Sequence, residues 1–232
     1  MSKKNNIKLL AIRFGWLGCF GIAIGFTIVS LLQISQADFS GFLWLQKSMS
    51  ELGYYGDTDY AIIVNGGLFF GGLSITLACL FALQVTDGWM KYPFWLSLAG
   101  SFVAIAASGL FPLNVYHLHI YGLTLSLWLV SFACLSFIIY ALTLNWQQMK
   151  FSILLALICL SLNFCVLILP YFGVIPSPAI TISMTDIIAA SASIFPKPDF
   201  WWQALAHWLS MSVLILWVLT LLSWLNKSIE TK

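Results

Sequence analysis

Six runs of mainly apolar residues, at about 14–32, 60–83, 94–111, 119–142, 151–172 and 203–225, constrain this chain more than any other feature. Each has the roughly 20 residues that a helix rising 1.5 Å per residue needs to cross a hydrocarbon core about 30 Å thick. Lipid offers no partner to an unsatisfied backbone group, so runs of this kind predict helices. Composition agrees, because only 8% of the residues are charged against about 25% in soluble domains. The predicted fold is all-α: one integral membrane domain over 1–232, a bundle of six transmembrane spans. Its outer loops are 33–59 and 173–202, and both termini are cytoplasmic.

Orientation follows from Lys and Arg. With the N-terminus cytoplasmic, Lys3, Lys4, Lys8, Arg13, Lys91, Lys150, Lys227 and Lys232 lie inside, and Lys47 and Lys197 outside. That asymmetry is the positive-inside pattern, and it sets the N-terminus on the cytoplasmic side. Tryptophans mark the two interfaces: Trp44, Trp201, Trp202 and Trp208 outside, Trp16, Trp89, Trp95, Trp146 and Trp224 inside. The first span is too long for the 7–15-residue core of a cleavable signal, so it reads as an anchor. Segment 179–195, bracketed by prolines and carrying Asp186, reads as an outer-face or re-entrant helix and not a seventh span.

Small residues describe the packing. Gly21 and Gly25 in the first span, and Gly67 and Gly71 in the second, have the four-residue spacing that lets helix backbones approach. Packing within the chain is the first expectation, and a homodimer through either stripe is the alternative. The five cysteines all lie in apolar runs without Cys-x-x-Cys spacing and read as packing residues. A net charge of +2 without a basic cluster gives no reason to expect a nucleic-acid partner; the expected partner is the lipid bilayer.

No Asp, Glu, Lys or Arg lies deep in a span, where proton-coupled carriers place them. The strong polar groups inside spans are Asn65 and Asn163, both expected to join helices by hydrogen bonds. All three histidines, His117, His119 and His207, fall at outer span ends, on the same side as Glu51 and Asp199. Imidazoles and carboxylates in that number are the ligand types of zinc, which would activate a water for hydrolysis. His119, His207 and Glu51 are the candidate ligands; the alternative is interfacial histidines that touch headgroups or cap loops. His117 and His119 point about 200° apart on a helix, so the two would not share one ion.

The loop stretch 46–53 has a local reading as well. Ser48-x-x-Glu51 is the pattern of a capping box, and Gly53 fits a helix stop. Ser48, Ser50, Glu51, Asn65, His117, His119, Asp199 and His207 together form the candidate outer-face polar site.

Ser48-Met-Ser-Glu-Leu-Gly53, Asn65-Gly66-Gly67-Leu68, Gly109-Leu-Phe-Pro112 and the histidine opening the next span resemble the domain of unknown function family 998. Its members are prokaryotic membrane proteins, typically of six spans, loosely similar in plan to the DRAM-like autophagy modulators. The resemblance covers roughly 46–122 by motif and the later half only by hydropathy. It implies a six-span fold in a prokaryotic inner membrane, with the Ser-Glu-Leu-Gly and Phe-Pro…His segments in one structural unit and His119 as the family histidine. It implies no reaction. Three functions stay open: an outer-face pocket for a lipid headgroup, small ligand or partner; a metal-dependent hydrolase of a lipid-like substrate; and a transporter or channel.

Overall fold

A computed structural model describes residues 3–35, 47–56, 59–144, 146–168 and 202–230, with side chains described to 227 and from 204 in the last segment. Segment 179–195, Asp199, and the outer tryptophans Trp44 and Trp201 lie outside the described residues. Those described are helical, without strands: α1 Lys3–Ser35, α2 Met49–Leu52, α3 Ala61–Val85, α4 Lys91–Leu110, α5 Tyr116–Thr143, α6 Trp146–Ile168 and α7 Trp202–Glu230. A 3₁₀ turn, Leu113–Val115, precedes α5. All but α2 are long and apolar enough to span a membrane, so the described residues make a six-span bundle and the chain is an integral membrane protein.

Most span boundaries lie outside the hydropathy runs. The largest difference is α1, which begins at Lys3, about three turns before the apolar run. Its basic first turns make an amphiphilic extension that hydropathy cannot register. Lys4 Nζ reaches Asp87 Oδ2 at 3.5 Å, tying that extension to the turn between α3 and α4. Both partners are exposed, so the pair adds little stability. The turn itself is built by its polar atoms. Gly88 takes φ 91°, a value other residues rarely adopt. Lys91 Nζ donates to Thr86 O (2.8 Å), Trp95 Nε1 to Thr86 Oγ1 (3.0 Å), and Tyr140 Oη to Asp87 O (3.1 Å). Trp95 is therefore a buried strut, not the interfacial marker its position suggests; Trp89 is 74% exposed and fits that role.

The spanning helices close into a ring. Each packs on its sequence neighbour (α1–α3, α3–α4, α4–α5, α5–α6, α6–α7), and α7 returns to α1. The short connections between α3, α4, α5 and α6 make those neighbours antiparallel. The core is aromatic toward the α3–α4 turn, where Phe94 stacks among Trp95, Phe137, Tyr140 and Trp217. Outward faces are equally apolar, with Leu17, Ile62, Phe70 and Tyr121 each more than 60% exposed. A surface of that kind is a patch in water and an ordinary one in lipid.

The glycine stripes meet each other. A Cβ on Gly71 would lie 2.8 Å from the Gly18 carbonyl oxygen, and one on Gly67 would lie 2.8 Å from that of Gly21. Gly25 faces Gly67 across the same seam. The stripes thus join α1 to α3 within one chain, and a homodimer through them would need surface that this contact already covers. Gly72 and Gly109 repeat the device between α3 and α4, where added Cβ atoms would meet the carbonyls of Phe102 and Asn65 at 2.7 Å.

Candidate functional site

Residues 47–56 form a strap across one end of the bundle, the end read as outer. The strap holds itself first. The Glu51 carboxylate accepts from the Ser48 backbone N–H at 2.7 Å and from its hydroxyl at 3.1 Å, the capping box anticipated from Ser48-x-x-Glu51. Four ties then fasten it to different elements. Trp208 Nε1 on α7 donates to Lys47 O at 3.0 Å. Ser50 Oγ lies 2.9 Å from His119 Nε2 on α5. Asn65 Nδ2 on α3 donates to Gly53 O at 2.8 Å. Asn114, in the 3₁₀ turn, exchanges two bonds with the Tyr55 backbone at 2.9 and 2.8 Å. Leu52, fully buried, fills the space beneath.

His119 is the centre of these ties. Its Nδ1 lies 2.9 Å from both the Ser108 and the Phe111 carbonyl oxygens. Ser108 sits in the last turn of α4 and Phe111 follows its end, so these carbonyls belong to a helix terminus that lacks intrahelical donors. Carbonyls only accept, so Nδ1 carries the proton and Nε2 presents a lone pair. The Ser50 hydroxyl is consequently the donor to Nε2. One imidazole thus ends α4, starts α5 and docks the strap.

Beneath the strap is a partly open cavity. All seven helices line it. Ser50, Asn65, Ser108, His119 and His207 supply polar groups near the strap end, with Asn163, Ser126 and Ser210 farther in. Deeper along the helices the lining turns apolar, through Leu68, Ile105, Val130 and Leu214. From His119 to Val130 along α5 is about 16 Å at 1.5 Å per residue. Asn163, fully buried, takes a short hydrogen bond from the Ser210 hydroxyl and donates to Ser131 Oγ at 3.4 Å, linking α6 to α7 and α5. His207 contributes a buried Nε2 with no hydrogen-bond partner among the described residues. Leaving such an atom unpaired costs about 1–3 kcal/mol.

The sequence-derived site is partly assembled. Ser50, Asn65, His119 and His207 line the cavity together. Ser48 and Glu51 serve the strap's own geometry, the local role that the capping-box pattern implies, and the Glu51 carboxylate turns to Ser48 and not to the histidines. His117 is exposed, stacked edge-on against Tyr116 and away from the cavity. Its two-residue offset from the buried His119 puts it on the other side of α5. Among the described residues no group of three or more His, Cys, Asp or Glu side chains gathers that could hold a metal ion, so the zinc reading finds no ligand set there. Ser126 and Ser210 were not singled out from sequence, and only their place on the inner faces of α5 and α7 reveals them. No family model, curated protein or solved structure matches the chain.

Proposed function

We propose that this membrane protein binds a neutral amphipathic molecule, a membrane lipid or lipid-like compound, in the cavity beneath the strap. The observation that carries this reading is the cavity's own gradient: hydroxyls, amides and imidazoles gather near the strap, and aliphatic side chains line the deeper part. Ligand sites combine an apolar wall with a few placed polar groups in this way. Among the described residues the lining contains no Asp, Glu, Lys or Arg, and on that lining recognition favours a polar but uncharged head, such as an ester, amide or hydroxyl, over a phosphate. Residues near the bundle end meet the head and the deeper wall takes an alkyl chain. Membership in family 998, which rests on the sequence motifs alone, is part of the same proposal.

Lipid extraction from the purified protein, followed by mass spectrometry, tests it. A neutral lipid near one per chain is the expected result. Leu123→Trp and Ser126→Phe, both inside the cavity, should lower that occupancy at least fivefold. Leu125→Trp, on the exposed face of the same helix, should leave it unchanged. Equal lipid recovery from all four proteins would defeat the reading.

A further inference from the structure

The strap places a hydroxyl where the chemistry of acyl transfer needs one. Ser50 Oγ lies 2.9 Å from His119 Nε2, and the proton on Nδ1 is directed at two fixed carbonyl oxygens at 2.9 Å. A hydroxyl bonded to an imidazole lone pair, with the other ring nitrogen held by an acceptor, is the relation of nucleophile, base and orienting group in covalent catalysis. The Ser108 and Phe111 carbonyls take the place that a carboxylate usually fills. Two independent features point the pair at a ligand. Ser50 and His119 both line the cavity, and so does His207, whose buried Nε2 has no partner among the described residues.

Resting on the binding reading above, we propose that Ser50 and His119 are a nucleophile–base pair that takes the acyl group of a neutral lipid ester held in the cavity. Ser50 Oγ attacks the ester carbonyl carbon while its proton passes to His119 Nε2. The imidazolium so formed keeps its Nδ1 proton on the two carbonyls. Collapse of the tetrahedral intermediate breaks the bond from the acyl carbon to the leaving oxygen, and His119 returns the proton to that oxygen, releasing an alcohol. Water, or the hydroxyl of a second alcohol, then attacks the acyl-Ser50 ester as His119 Nε2 takes its proton. The acid or new ester departs and Ser50 regains its hydrogen. His207 is a binding residue in this scheme, the polar group left to meet the bound ester.

The test uses the full chain in lipid nanodiscs, an alkyl fluorophosphonate as the probe, and peptide mass spectrometry to locate the adduct. Expected is a phosphonyl group on Ser50, with labelling reduced at least 100-fold in Ser50→Ala and at least 10-fold in His119→Gln. Ser74→Ala, on the outer face of α3, should label like the wild type. Should His119→Gln not fold, the Ser50→Ala arm decides alone, since that change removes a single half-buried hydroxyl. No adduct on Ser50 in wild type, or labelling that survives Ser50→Ala, overturns the proposal. Lipid recovered from the same Ser50→Ala sample separates the two readings: lipid present without wild-type labelling defeats the chemistry alone, and lipid absent from both proteins defeats binding as well.

Discussion

Gly71→Leu is expected to cost the bundle at least about 3 kcal/mol, roughly a hundredfold in the unfolding equilibrium. A Cβ there would lie 2.6 Å from Ile22 Cγ1, 2.8 Å from the Gly18 carbonyl oxygen and 3.2 Å from Ile22 N. A flexible side chain can swing away, but a carbonyl oxygen moves only with its helix. α1 and α3 would have to separate along the seam where they lie closest. In lipid there is little hydrophobic drive to restore the contact, because close packing is what holds helices together. Gly66→Ala is the paired control: nothing lies within 4 Å of its added Cβ, so stability should stay within about 0.5 kcal/mol. Steric-trapping or denaturant unfolding in mixed micelles measures both.

His119→Ala is expected to be the second most damaging change, at about 2–4 kcal/mol. It strips the donor from two carbonyls at the end of α4 and the acceptor from the Ser50 hydroxyl. The remaining groups are buried or half-buried, and deleting one partner leaves each to bear its desolvation cost. The loss should also be local. Residues 47–56 lose one of their four ties to the bundle, so limited proteolysis should cut there at least tenfold faster than in wild type. His117→Ala, two positions away and exposed, should change neither quantity.

Much of this architecture was legible in the sequence, because membrane insertion writes itself into composition. Six spans follow from six apolar runs, and Gly21, Gly25, Gly67 and Gly71 announce a helix seam by spacing alone. The Ser48–Glu51 capping box is a three-residue relation, and local relations survive without knowledge of the fold. The site was harder to read for the same reason. Ser50 and His119 are 69 positions apart, and which residue of the Ser-Met-Ser-Glu run would reach the imidazole depends on how α2 is rotated. Glu51 drew attention as the only charge in that run after Lys47, yet its carboxylate is taken by Ser48. Asn65 was expected to join two helices and instead holds the Gly53 carbonyl of the strap. Trp208 likewise reads as interfacial but packs edge-on to Phe26 at 5.6 Å and donates to the Lys47 carbonyl. Polar groups on transmembrane helices carry no periodic signal strong enough to name their partners.

The arrangement of strap, histidine and helix end makes one spectroscopic demand. His119 must be a neutral imidazole with its proton on Nδ1 and its lone pair on Nε2, directed at Ser50. Nitrogen-15 NMR of histidine-labelled protein in nanodiscs reads this directly, with His117→Gln and His207→Gln variants to assign the three rings. Expected is a directly protonated Nδ1 for His119, with an Nε2 resonance that shifts when Ser50 is replaced by Ala. A protonated Nε2, or an Nε2 resonance indifferent to Ser50→Ala, would contradict the docking of the strap on which the cavity and its chemistry depend.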